Sequence, residues 1–110
     1  MLRVDANQIS LTRGDTAYLI VPIFNDVTSE DYVLSPDDTI TFTVKKTVDD
    51  TEFIFQKVMK GSNEIHILPE DTIGCSYTTY MYDVQLTTAN GDVFTVIEPT
   101  KFRITSEVTF

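Results

Sequence analysis

The sequence predicts an all-β domain of about seven short strands, a sandwich or a barrel. Three observations carry this. Apolar and polar residues alternate with a period of two in segment after segment. Turn-forming residues separate these segments at intervals of roughly 8–12 residues. An Asn-Gly pair at 90–91 sits between two alternating runs, a strong short-range hairpin signal.

The elements follow in order. "QISL" (8–11) is the first candidate strand. "TAYLIVPIF" (16–24) is apolar on both faces: Ala17, Leu19, Val21 and Ile23 on one, Tyr18, Ile20 and Phe24 on the other. That predicts a strand buried at the centre of a layer. Pro22 cannot donate to a ladder, so an edge or bulge is expected beside it. "TITFTVKK" (39–46) sets Ile40, Phe42 and Val44 against threonines and Lys45. "TEFIFQKVMK" (51–60) sets Phe53, Phe55, Lys57 and Met59 against Ile54, Gln56 and Val58. "EIHIL" (64–68), residues 78–88, residues 92–98 and "KFRITSEV" (101–108) complete the set. The breakers are "TRGDT", "LSPDDT", "TVDDT", "KGSNE", "TANGD" and "EPTK". "LPEDT" (68–72) is expected to form one helical or 3₁₀ turn. Residues 82–98 read as a hairpin closed by a type I′ turn at Asn90–Gly91.

A chain of 110 residues, 42% hydrophobic and 11% aromatic, makes one domain with a single core. The net charge of −9 gives no basic field for nucleic acid. Lys45, Lys46, Lys57 and Lys60 read as solvated ends of neighbouring strands. No run is long enough to cross a bilayer as a helix, and "MLRVDANQIS" has no signal-peptide apolar region. Cys75 is the single cysteine, so no internal disulfide is expected and a semi-buried structural thiol is.

Little in the sequence points to chemistry. Asp37–Asp38, Asp49–Asp50 and Glu70–Asp71 read as turns whose aspartate bonds the backbone two residues on, rather than as calcium ligands. His66 faces away from the apolar side of its strand, and one histidine with one cysteine does not make a zinc site. "RGD" at 13–15 reads as a turn. No enzyme activity, catalytic residue, metal or cofactor is expected.

Residues 77–86, "YTTYMYDVQL", place Tyr80, Tyr82, Val84 and Leu86 on one side and Met81, Asp83 and Gln85 on the other. The strand follows "EDTIG", as a strand F with its corner tyrosine follows the E–F turn of immunoglobulin-like sandwiches. Asp71, Gly74 and Tyr80 fit those roles, and Tyr82 stands where disulfide-bonded members place a cysteine. A buried tyrosine there needs a hydroxyl partner.

"ISLTRGDTAYLIVPIF", "LSPDDTITFTVKK", "ILPEDT" and "YMYDVQLTTANGDVFTVIEPTKFRITSEVT" follow one another over residues 8–109. In this order the chain resembles the N-terminal immunoglobulin-like domain of phage baseplate upper proteins. The resemblance implies an immunoglobulin-like antiparallel β-sandwich and a virion structural role without catalysis. It implies other tail or baseplate proteins as partners, with further copies of the chain as a second option, and neither nucleic acid nor membrane. It places the protein in the virion, and in the host cytoplasm during assembly. Members of that family continue into a trimerising or receptor-binding segment, whereas this sequence ends at Phe110. A stand-alone protein and a piece of a longer one both stay open.

The rival reading is an adhesion or ligand-binding immunoglobulin-like domain of a bacterial surface, using "TRGDT" or the loops at 47–51 and 60–64. On the first reading, "KFRITSEVTF" is expected to offer an unprotected edge for strand addition. The candidate partner contacts are Phe102, Ile104, Val108, Phe110 and Asp83. Because of the net charge, self-association is expected to grow with salt.

Overall fold

The computed structural model describes residues 2–5, 7–25 and 28–107. Val108 and Phe110, two of the candidate contacts, lie outside them. The described chain is all-β with one helical turn. Its strands are β1 (Leu2–Asp5), β2 (Gln8–Thr12), β3 (Ala17–Ile20), β4 (Phe24–Asn25), β5 (Glu30–Asp31), β6 (Thr39–Lys45), β7 (Phe55–Lys60) and β8 (Glu64–Ile67). The turn α1 (Pro69–Thr72), β9 (Thr79–Thr87) and β10 (Val93–Thr105) complete it.

Six strands form one sheet in the order β1-β2-β10-β9-β6-β7. β3 and β8 form a second, antiparallel pair, and β4–β5 is a short hairpin. Within the large sheet β2 and β10 run parallel; the other neighbours are antiparallel.

The alternation seen in the sequence is what closes the core. Ile9 and Leu11, Ile40, Phe42 and Val44, Tyr80, Tyr82, Val84 and Leu86, and Phe102 and Ile104 all turn inward from the large sheet. Ala17, Leu19, Ile65 and Ile67 meet them from the β3–β8 pair. The centre is aromatic. The Phe42 ring stacks on Tyr82 at 5.1 Å between centroids, and Phe102 meets Phe42, Tyr82 and Phe55 edge-on at 5.8–6.2 Å. Offset and edge-to-face pairs each add about 0.5–1.5 kcal/mol beyond the area they bury.

Tyr82 finds the partner its burial requires: its hydroxyl donates to the Asn7 carbonyl. Burial pushes its ionisation up to about 12. An unfolded tyrosine ionises near pH 10, so on raising the pH the unfolded state loses this proton first. Stability should therefore fall between about pH 10 and 12. Urea melts over that range should show a shallower fall for Tyr82→Phe than for wild type.

Several expectations change. β3 is not the centre of a layer: among the described residues it pairs only with β8, and Tyr18 and Ile20 are 61% and 69% exposed. The strand stops at Ile20, two residues before Pro22, as a proline that cannot donate requires. Residues 92–98 and 101–108 are not two strands, since β10 runs through "EPTK" from 93 to 105. Register shifts between Thr95 and Ile97 and between Ile97 and Thr100 absorb Pro99. Residues 51–54 form a bend rather than strand, which leaves Phe53 53% exposed while Phe55 is buried.

The 82–98 hairpin forms, with Val93 opposite Thr87 and Phe94 opposite Leu86. Its turn is not type I′, because Asn90 keeps a negative φ. The Gly91 N–H bonds the Thr88 carbonyl at 2.9 Å and Gly91 alone takes φ +88°. This is the longer hairpin loop that needs only one left-handed residue.

The largest correction concerns β10. It was expected to offer a free edge, yet both of its sides are occupied, β2 on one and β9 on the other. Its apolar residues Phe102 and Ile104 are 0% and 1% exposed. They hold the core together and present no side chain to a partner. The burial of their face follows from the strand's central place.

Candidate interaction surface

Three acidic turns repeat one construction. In "SPDD", "TVDD" and "LPED", the last aspartate donates its N–H to the carbonyl three residues earlier, Ser35, Thr47 or Leu68. Its carboxylate then accepts the N–H of that same residue, at 3.0 Å for Asp38, 3.2 Å for Asp50 and 2.7 Å for Asp71. The bond runs back three residues, not forward two. The repeated spacing was the readable signal, and it explains these carboxylates through the backbone.

Asp38 is the buried member. It also accepts the Tyr32 hydroxyl at 2.6 Å and the Ala89 N–H at 3.3 Å, and its carbonyl takes the Gly61 N–H at 2.7 Å. The Tyr32 hydroxyl first, and then the Ser35 N–H, hold its carboxyl below the ordinary aspartate range. Gly61 sits at φ +68°, where a Cβ would meet the Pro36 carbonyl oxygen at 3.1 Å. Asp38 thus joins the 32–38 loop, the tip of the β9–β10 hairpin and the end of β7.

The Arg-Gly-Asp turn is docked rather than displayed. The Arg13 guanidinium forks onto Glu107, with its shortest contact 2.6 Å, and donates to the Cys75 carbonyl at 3.3 Å. It also lies 4.4 Å over the Tyr77 ring. The Gly14 N–H donates to the buried Thr72 hydroxyl at 2.8 Å. The Arg13 hydrogen bond holds the Glu107 carboxyl below its ordinary range. Arg13→Ala and Glu107→Gln should each lower the melting temperature by a few degrees. The double variant should lose less than the sum of the two, because each single change already breaks the same pair. A thermal double-mutant cycle checks this.

Cys75 is buried beside Asp71 and Tyr80, and burial pushes its thiol up, away from the reactive thiolate. His66 is exposed on the outer side of β8, 2.7 Å from Glu64 and 4.5 Å from the Tyr18 ring. Lys57 pairs with Asp71 at 2.7 Å. Lys45 and Lys60 lie at opposite ends of the β6–β7 ladder, so the four neighbouring lysines of the sequence are not one cluster.

Asp83 stands on the outer face of the large sheet, in the row of Met81 and Gln85. Burial pushes its carboxyl up, and the neighbouring charge of Lys45 partly offsets this. It lines a groove of about 320 Å³ with Thr43, Lys45, Gln56 and Met81. Val48 and Phe53 from the 46–54 loop wall one side and Pro99 the other. The groove is therefore built by the bend and the bulge that the sequence reading missed. A wider hollow of about 670 Å³ lies over β2 and β10, lined by Gln8, Ser10, Tyr77, Thr79, Lys101 and Arg103 among others. The registers place Lys101 and Lys45 on either side of Met81, so the two concavities share one sheet face. Of the candidate contacts, Asp83 lies on this face and Phe102 and Ile104 lie beneath it.

Among the described residues no group of three His, Cys, Asp or Glu side chains is placed to hold a metal ion, and no helix is long and apolar enough to cross a membrane. Searches against known protein families, curated proteins and solved structures find no match to the chain.

Proposed function

We propose that the chain is a non-enzymatic assembly module of a phage or prophage tail or baseplate, working through protein–protein contacts on an immunoglobulin-like sandwich. Two features support the sandwich. The Tyr80 hydroxyl bonds back to the Ser76 backbone, accepting its N–H at 3.1 Å and donating to its carbonyl at 3.3 Å. A corner tyrosine at the start of strand F makes a bond of this kind, and a residue two positions later, as Tyr82 is, stands where disulfide-bonded members carry a cysteine. The buried faces of the two sheets also meet in one core.

The observation that carries the functional reading is the outer sheet face. It is broad, hydroxyl-rich and charged, and Val48 and Phe53 stand exposed on its rim. Apolar anchors set on a polar ground are the composition that protein interfaces use. The resemblance of the sequence to baseplate upper proteins supplies the kind of partner. The adhesion reading is weaker, because the guanidinium of its Arg-Gly-Asp motif is already bound within the domain.

The test is to purify phage particles or induced prophage particles from the strain that encodes the chain. Quantitative mass spectrometry and antibody labelling in the electron microscope should find it at a fixed copy number on the tail. Particles that lack the chain would overturn the proposal.

A further inference from the structure

The large sheet is electrically unlike the rest of the molecule. Its outward positions on β2, β6, β7, β9 and β10 carry Lys45, Lys60, Lys101 and Arg103 against Asp83, with one further exposed carboxylate, Glu98, at the irregular stretch of β10. The chain as a whole carries −9. The hollow over β2 and β10 holds Lys101 and Arg103 and has no acidic residue in its lining.

The opposite edge carries the complement. The 46–54 loop joins β6 to β7, the far edge strand of the same sheet. Asp49 and Glu52 are exposed on it, and Val48 and Phe53 are 52% and 53% exposed beside them. Asp50 is held in its own turn by the Thr47 N–H. A net acidic loop, with Lys46 as its one cation and two apolar side chains, at one edge, and a basic hollow walled by the Tyr77 ring toward the other, are complementary in charge.

We propose that the 46–54 loop of one copy docks in the Lys101–Arg103 hollow of a second copy. Asp49 and Glu52 meet the two cations, and Phe53 packs against Tyr77. The two patches differ and lie toward opposite edges, so the contact is head-to-tail and generates a ring or an open row rather than a two-fold dimer. The partner is thus a second copy of this chain. The inference rests on the assembly-module reading, but presence in the particle and self-docking are measured separately, so either fails alone. The contact is small beside the roughly 1,200–2,000 Å² of a stable interface. Association is therefore expected in the micromolar-to-millimolar range.

Net charge and local charge make opposite forecasts. If overall repulsion governed self-association, salt would strengthen it. If the loop and hollow attract, salt weakens it, because the contact charges are screened once the Debye length falls to about 3 Å. Sedimentation velocity from micromolar to millimolar protein, at low and high ionic strength, separates the two.

Wild type should associate at low salt and dissociate at high salt. Lys101→Glu with Arg103→Glu should abolish the association. Asp49→Lys with Glu52→Lys should abolish it as well, although that variant is less negative overall and the net-charge argument has it associating more. An equimolar mixture of the two double variants should recover association, because each then offers a patch that the other accepts. Should either reversal fail to fold, Lys101→Gln with Arg103→Gln and Phe53→Ser should each weaken association on the order of tenfold at unchanged melting temperature. A wild type that stays monomeric at low salt overturns the proposal. So does a loop variant that associates more strongly, or a mixture that stays dissociated.

Discussion

Replacing Phe102 by alanine should cost about 3–5 kcal/mol, the range for deleting a fully buried aromatic side chain. Phe102 has no exposed surface and meets three other rings. A domain of this size holds roughly 5–15 kcal/mol in all, so the variant should be barely folded at room temperature. Phe102→Leu keeps most of the volume and should lose less than half as much. Urea titration monitored by near-ultraviolet circular dichroism reports both. A loss below about 1 kcal/mol for Phe102→Ala would put the residue on the surface and restore it as a partner contact.

The second large effect is at Asp38. Asp38→Ala removes one carboxylate that serves Tyr32, Ser35 and Ala89 together. It leaves a hydroxyl and two N–H groups without their acceptor in a largely closed site. The melting temperature should fall by roughly 5–10 °C. Tyr32→Phe, which deletes one of the three bonds and leaves the carboxylate capped by the backbone, should fall by a fraction of that. The same group sets part of the acid response. Its folded carboxyl ionises lower than in the unfolded chain, as does that of Glu107. Their contribution is fully present above the unfolded value near pH 4 and is lost as the pH falls through the folded value. Asp38→Asn and Glu107→Gln should therefore flatten the loss of stability below about pH 4. Thermal melts from pH 7 to pH 2.5 check this, and an unchanged acid slope in both variants would contradict it.

What the sequence disclosed was the part written in local rules. Period two placed the inward residues of β6 and β9 on the correct face, because side chains alternate whatever the neighbours are. The Asn-Gly hairpin, the single helical turn, the bonded Tyr82 hydroxyl and the buried Cys75 followed from similar local reasoning. The order of the strands did not. Nothing in "KFRITSEV" says that β2, some ninety residues earlier, runs parallel beside it. The strand could be read as an edge because a partner's position is a long-range fact. The all-apolar β3 misled for the complementary reason: Tyr18 and Ile20 read as core, yet they face outward from a two-stranded layer. The groove at Asp83 was hidden because it is made by exceptions, the bend that turns Phe53 outward and the Pro99 bulge. The triple repeat of an aspartate bonding back three residues was in plain view and was read in the wrong direction.

Whether β10 offers a strand edge or only a side-chain face turns on its position in the sheet. Hydrogen exchange, followed amide by amide, tests that position. In a strand with two neighbours, successive N–H groups donate alternately to one side and the other. The Ile104 N–H reaches the Thr78 carbonyl at 2.9 Å on the β9 side, and the residues next to it turn toward β2. All of the consecutive amides from 102 to 105 should therefore exchange slowly, near the rate set by global unfolding. Slow exchange at every second amide only, with fast exchange at 103 and 105, is the signature of an edge strand and would contradict the central place of β10.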